Sequence, residues 1–117
     1  MSESDLSSFR WTHRPLVVFG SSPDAAAVVE QRWLLAGNEA GLREREVQLV
    51  EVFEPDHPLR ERFTVAADAF LALLVGKDGT EQARWTEPVE METVFGLIDR
   101  MPMRQRESGA SPEVGNG

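Results

Sequence analysis

The chain has no cysteine among its 117 residues, so it can form no disulfide, no thiolate nucleophile and no cysteine metal site. Lysine occurs once, at Lys77, against eleven arginines, a bias that suggests a GC-rich genome or a salt-adapted proteome. No stretch approaches the roughly 20 apolar residues needed to span a bilayer. Residues 1–8 are polar and acidic, without the basic start and apolar run of a secretory leader. A cytoplasmic location is therefore the default expectation. The two histidines, His13 and His57, and the scattered carboxylates show no metal-ligand spacing, so no metal is expected, and no cofactor is expected either.

What is present fits one domain. The length is near the commonest for a single core, and 41% hydrophobic with 27% charged residues is ordinary for a globular chain. The formal charge is −8, from 20 acidic and 12 basic residues. Such a field repels polyanions at long range, which argues against nucleic acid and against an anionic membrane surface as partners.

Apolar patterning gives the element order. Pro15 to Phe19 is a continuous β-branched run closed by Gly20, as in a strand buried on both faces. Ser22, Pro23 and Asp24 read as the start of a helix, with Ser22 capping and Pro23 in the first position. That helix is expected from Pro23 to about Glu39, with Ala25, Val28, Val29, Leu35 and Ala36 on its apolar stripe, stopping near Gly41. Glu46 to Phe53 reads as a second strand, apolar on both faces and so placed inside a sheet. Leu59 to Phe63 suggests a short helix after a proline-containing loop. Phe70 to Val75 is the most apolar run and predicts a central strand. Gly76-Lys77-Asp78-Gly79 then forms a hairpin turn, and Thr80 to Thr86 an antiparallel return strand near an edge. Glu90 to Met101 has helical spacing and should stop at Pro102. Residues 1–8 are expected to be flexible, residues 9–104 to form the domain, and residues 105–117, rich in Ser, Gly, Pro and Asn, to be a disordered tail. A right-handed crossover makes the first two strands parallel. The economical solution is a four-stranded mixed sheet with helices on both faces, the thioredoxin-like α/β layout.

Three stretches resemble a bacterial domain-of-unknown-function family: Arg10-Trp11-Thr12-His13-Arg14-Pro15-Leu16, the Gly76 to Gly79 turn, and Ile98-Asp99-Arg100-Met101-Pro102-Met103-Arg104. The resemblance spans about residues 6 to 107 and implies a thioredoxin-like fold, related to domains of sushi-repeat-containing extracellular proteins. It implies no catalytic mechanism.

The redox chemistry of such folds uses cysteines at the first strand-to-helix turn. Here that turn is Gly20-Ser21-Ser22-Pro23, and a serine hydroxyl cannot replace a thiolate in disulfide exchange or peroxide reduction. No proline precedes Phe70, where redox members place a cis-proline. A hydrolytic serine needs a base held by a third group; the only candidates are Ser21 and Ser22 with His57, since His13 lies about 20 Å away at the far end of the first strand. Gly76-Lys77 is not a phosphate loop, because Asp78 follows the lysine and a hairpin follows in place of a helix. A second constellation is Arg10, Trp11, Arg14, Asp99, Met101, Met103 and Arg104, which the strand start and the last helix's end could bring together. It suits packing and salt bridges, or a basic surface for a small carboxylate ligand, an acidic peptide or an unidentified protein. The expected role is a non-redox binding or interaction module; the alternatives are an enzyme of unassigned reaction at Ser21, Ser22 and His57, or a structural accessory protein.

Overall fold

Four strands and five helices follow one another in a computed structural model that describes residues 6–108. After a 3-10 turn at Ser7–Phe9 come β1 (Arg14–Phe19), α1 (Ala26–Ala36), α2 (Glu39–Glu44), β2 (Val47–Val52), α3 (Pro58–Phe63), β3 (Leu71–Val75), β4 (Glu81–Trp85), α4 (Met91–Asp99) and α5 (Pro102–Ser108). The strands form one sheet in the order β2-β1-β3-β4. β1 runs parallel to β2, with Leu16 opposite Leu49, and antiparallel to β3, with Val17 opposite Leu73. β3 and β4 form the antiparallel hairpin.

Alternation along the central strands sends side chains to two cores. Val17, Phe19, Val52, Leu71, Leu73 and Val75 pack beneath α3 residues Leu59 and Phe63. Leu16, Ala72 and Leu74 pack on the other face against Leu35 of α1 and Val94 and Ile98 of α4. Every residue of β1 and β3 is buried, which is why both read as unbroken apolar runs.

Four details depart from the pattern reading. β2 is an edge strand, not an interior one: its two apolar faces record helical layers above and below, and facial burial carries no information about lateral neighbours. Ser22 does not cap α1. Residues 22–25 form a turn closed by the Ala25 N–H on the Ser22 carbonyl (3.2 Å), and α1 starts after Ala25 with no side-chain cap. The Arg32 guanidinium donates to the Pro23 carbonyl at 3.0 Å, holding that turn off the helix. The predicted long helix is also two, broken at Gly37 and Asn38, and Gly41 lies inside the second. Finally, α4 ends at Asp99 and Pro102 opens α5, consistent with proline's fitness for a first helical turn. α5 reaches Ser108; the tail expectation beyond it, and residues 1–5, lie outside the described residues.

Candidate binding surface at the hairpin end of the sheet

The β1–α1 turn, where a redox member of this layout would carry its cysteines, is built here from an exposed Ser21 and a half-buried Ser22. His57 reaches the same end of the sheet but serves as the N-cap of α3, its Nδ1 accepting the Leu59 N–H at 3.1 Å. Among the described residues no hydrogen bond joins either serine to His57. A ring nitrogen already used as a helix cap is not oriented to take a serine proton.

Arg60, which sequence reasoning did not single out, organises this end. It is 3% exposed, and its guanidinium donates to four backbone carbonyls: Nε to Glu54 (2.8 Å), Nη1 to Ala66 (2.5 Å), and Nη2 to Gly20 (2.8 Å) and Val52 (3.4 Å). Burial lowers its pKa, partly offset by the fields of Asp68 and Glu54. The Gly20 carbonyl is therefore held by an arginine at the position where redox chemistry would need a mobile, solvent-reached turn. No feature of the local sequence marks a buried cation inside Leu59-Arg60-Glu61-Arg62-Phe63. Gln31 was missed for the same reason: fully buried on α1, it exchanges two hydrogen bonds with Val89, at 2.9 and 2.8 Å, and pins the approach to α4.

The opposite end of the sheet holds the arginine-rich constellation. Its members divide between two sides of the Gly76–Gly79 turn. On the α4 side, Arg14 is buried and donates to the Arg45 carbonyl at 2.7 Å. Asp99 takes a bidentate pair from Arg45 (2.9 and 3.0 Å) and lies 3.6 Å from Arg104 Nε. Arg104, also buried, completes the group by donating to Glu44 Oε2 at 3.0 Å. Hydrogen bonding from Arg45, with smaller contributions from Arg104, holds the Asp99 carboxyl below its ordinary range. Arg45, unforeseen in the sequence, stacks 4.2 Å above the Phe95 ring. Met101 lines a small cavity of about 160 Å³ with Arg14, Lys77 and Gln82, where Lys77 pairs with Glu46. The Met103 side chain lies outside the described residues.

On the other side of the turn, Trp11 and Arg10 face solvent. Trp11 is 60% exposed, with a left-handed backbone (φ 70°), and its N–H is held by the Lys77 carbonyl at 2.7 Å. Arg10 lies along Gly79, whose φ of 88° needs glycine; a side chain there would begin 3.6 Å from Arg10 Nε. Arg62 of α3 donates to the Gly79 carbonyl at 2.9 Å. Between them opens a cleft of about 260 Å³ lined by Leu6, Phe9, Arg10, Pro15, Arg62 and Val75. Among the described residues no cluster of three metal-ligating side chains occurs, and no helix is long and apolar enough to cross a membrane.

A four-stranded mixed sheet with this strand order and these helical layers defines a domain of thioredoxin-like fold that contains no cysteine. Residues 5–107 match the family described as Domain of unknown function (DUF4174), and the chain belongs to that family. Among curated proteins it is similar to Coiled-coil domain-containing protein 80 of Danio rerio, 24% identical over 143 residues that take in 97% of this chain and 16% of the relative. The chain thus spans about a sixth of that relative's length, and the relative's name is that of a coiled-coil protein, not a sushi-repeat one. Among solved structures it resembles thioredoxin peroxidase I of Plasmodium yoelii, with a TM-score of 0.64 and 15% identity over 86% of this chain and 79% of the other. That likeness is one of fold.

Proposed function

We propose that the domain is a non-redox binding module that recognises a carboxylate-bearing ligand at the hairpin end of its sheet. The supporting observation is Trp11: a large aromatic ring held mostly in solvent by a backbone conformation that costs about 1–3 kcal/mol for a non-glycine residue. The Lys77 carbonyl holds that conformation from the hairpin, and the Phe9 carbonyl closes the same turn by accepting from Thr12 and His13 at 3.0 and 2.8 Å. Exposed, pre-organised tryptophan with arginine beside it is the composition of a recognition surface. The opposite end offers the reverse, a serine turn locked by Arg60 and a histidine used as a cap.

Amide chemical-shift mapping with a library of small acids and acidic peptides tests this reading. Shifts should concentrate on residues 10–14 and 76–79 and weaken in Trp11→Ala. Shifts confined to residues 21–24 would instead support chemistry at the serine turn and overturn the proposal.

A further inference from the structure

Resting on that reading, we infer that the cleft between the N-terminal turn and α3 is a site for a monocarboxylate with a short apolar chain. The walls decide the chain. Leu6 and Val75 belong to the α3-side core, Phe9 packs against it and Pro15 lines the cleft with them, so one wall presents carbon, while Ser7 and the two arginines line the rest. A volume of about 260 Å³ admits a small ligand and excludes a folded segment.

The rim decides the head group. Arg10 and Arg62 approach Gly79 from two sides, and the absent side chain at Gly79 leaves the Arg10 guanidinium lying beside the backbone. Among the described residues no carboxylate hydrogen-bonds Arg10. Arg10 acts through space on Asp78, whose carboxylate already accepts from the Thr80 N–H (3.1 Å) and hydroxyl (2.7 Å). A planar guanidinium matches a carboxylate edge in two parallel hydrogen bonds. A doubly charged head group would work against the overall charge of −8, which is screened only beyond about 8 Å at physiological salt; a single charge minimises that opposition. The cavity across the turn is a poorer candidate, since its Lys77 is paired with Glu46.

Titration of the full chain with sodium hexanoate, followed on amide and arginine Nε resonances, tests the site. The expected result is saturable binding with a dissociation constant of the order of 1 mM, with shifts at Phe9, Val75, Gly79 and Arg10 Nε. Hexanol should bind more weakly, and Arg10→Gln, with its amide spectrum checked against the parent's, should weaken hexanoate by roughly threefold to fivefold, as expected for a solvent-exposed ion pair. Inorganic phosphate binding as tightly as hexanoate would overturn the monocarboxylate assignment. Hexanoate shifts centred on Lys77, Gln82 and Met101 would overturn the cleft while leaving the hairpin-end reading standing. Loss of both requires that no acid in the wider library perturbs residues 10–14 or 76–79.

Discussion

The Arg60 guanidinium, on α3, donates to the carbonyl of Gly20 at the end of β1, 2.8 Å away and 40 residues earlier in the chain. The same group ties the loops that hold Glu54 and Ala66, so one side chain closes the end of the domain that faces away from the hairpin. Replacing it strands several carbonyls in a dry environment. Arg60→Leu should cost about 3 kcal/mol in urea unfolding. Arg60→Lys should recover little of this, because a compact ammonium cannot reach carbonyls arranged around a planar fork. A loss below about 1 kcal/mol in the leucine variant would mean that water satisfies those carbonyls.

Gly41 sets two effects against each other. Alanine within a helix gains about 1 kcal/mol over glycine. Yet a β-carbon at this position would sit 2.7 and 2.8 Å from two Phe95 ring atoms and 3.3 Å from Arg45 Nη1. The ring carries Arg45 on its face, and Arg45 holds Asp99, so relief of the clash disturbs the whole group. Overpacking of this kind costs about 1–3 kcal/mol. Gly41→Ala is therefore expected to lower the melting temperature, and a raised one would show that Phe95 moves aside freely.

Layering and strand direction were legible in the sequence because they rest on apolar runs and a hairpin turn. Pro15 to Phe19 and Phe70 to Val75 lie as neighbours in the sheet, and the Gly79 turn is where expected. The interior placement of β2 was not legible, since the burial of Leu49 and Val50 by helices looks the same as burial by strands. The Ser22 cap failed because residues 22–25 close a turn of their own, to which Arg32 donates at the Pro23 carbonyl, a contact with no local signature. At the candidate surface, Arg10, Trp11 and Arg14 read as one arginine–aromatic cluster, but the structure buries Arg14 on the α4 side and leaves Arg10 and Trp11 exposed across the turn. Arg62 and Arg45 were not legible, because each reaches its place from another element.

Acid should weaken the fold in a narrow window. Asp99, held by Arg45 and Arg104, and Glu81, held by Arg84, both have folded pKa values below their ordinary 3.8 and 4.5. A depressed carboxylate contributes stability that is complete above its unfolded pKa and is lost as pH falls through the folded one. The loss therefore falls below about pH 4. The Asp99 side chain is 46% exposed, so solvent screening limits its share to no more than about 1 kcal/mol. Asp99→Asn should flatten the decline below about pH 4 by up to that amount in denaturant melts; an unchanged slope would assign the acid sensitivity elsewhere.

His57 separates capping from catalysis. With Nδ1 accepting the Leu59 N–H, His57→Ala should cost about 0.5–2 kcal/mol, the value of a lost helix cap. Asparagine, a good capping residue, should restore it. If His57 instead served a serine base role, Asn would restore stability but not ester hydrolysis, and Ser21→Ala and Ser22→Ala would abolish a measurable activity in the parent chain. The expected finding is that none of the four variants changes hydrolysis of a generic ester above background.

The two faces of α1 give the sharpest contrast in the molecule. Val28, Gln31 and Leu35 point inward, whereas Trp33 is 76% and Val29 40% exposed, one helical turn apart on the outer side. The apolar stripe read from the sequence placed Val29 with Val28, and only the helix's actual phase separates them. Trp33→Glu should then leave stability within about 0.5 kcal/mol of the parent and raise the concentration at which the protein precipitates, because it removes the most exposed large apolar side chain among the described residues. Val28→Ala, five residues earlier, opens a void beside Gly20, whose close approach to Val28 leaves no room for a β-carbon; a cost of about 1–3 kcal/mol is expected. Paired thermal melts decide the matter: comparable destabilisation in both variants would show that α1 is rotated from the phase described, and with it the Gln31 clamp on Val89.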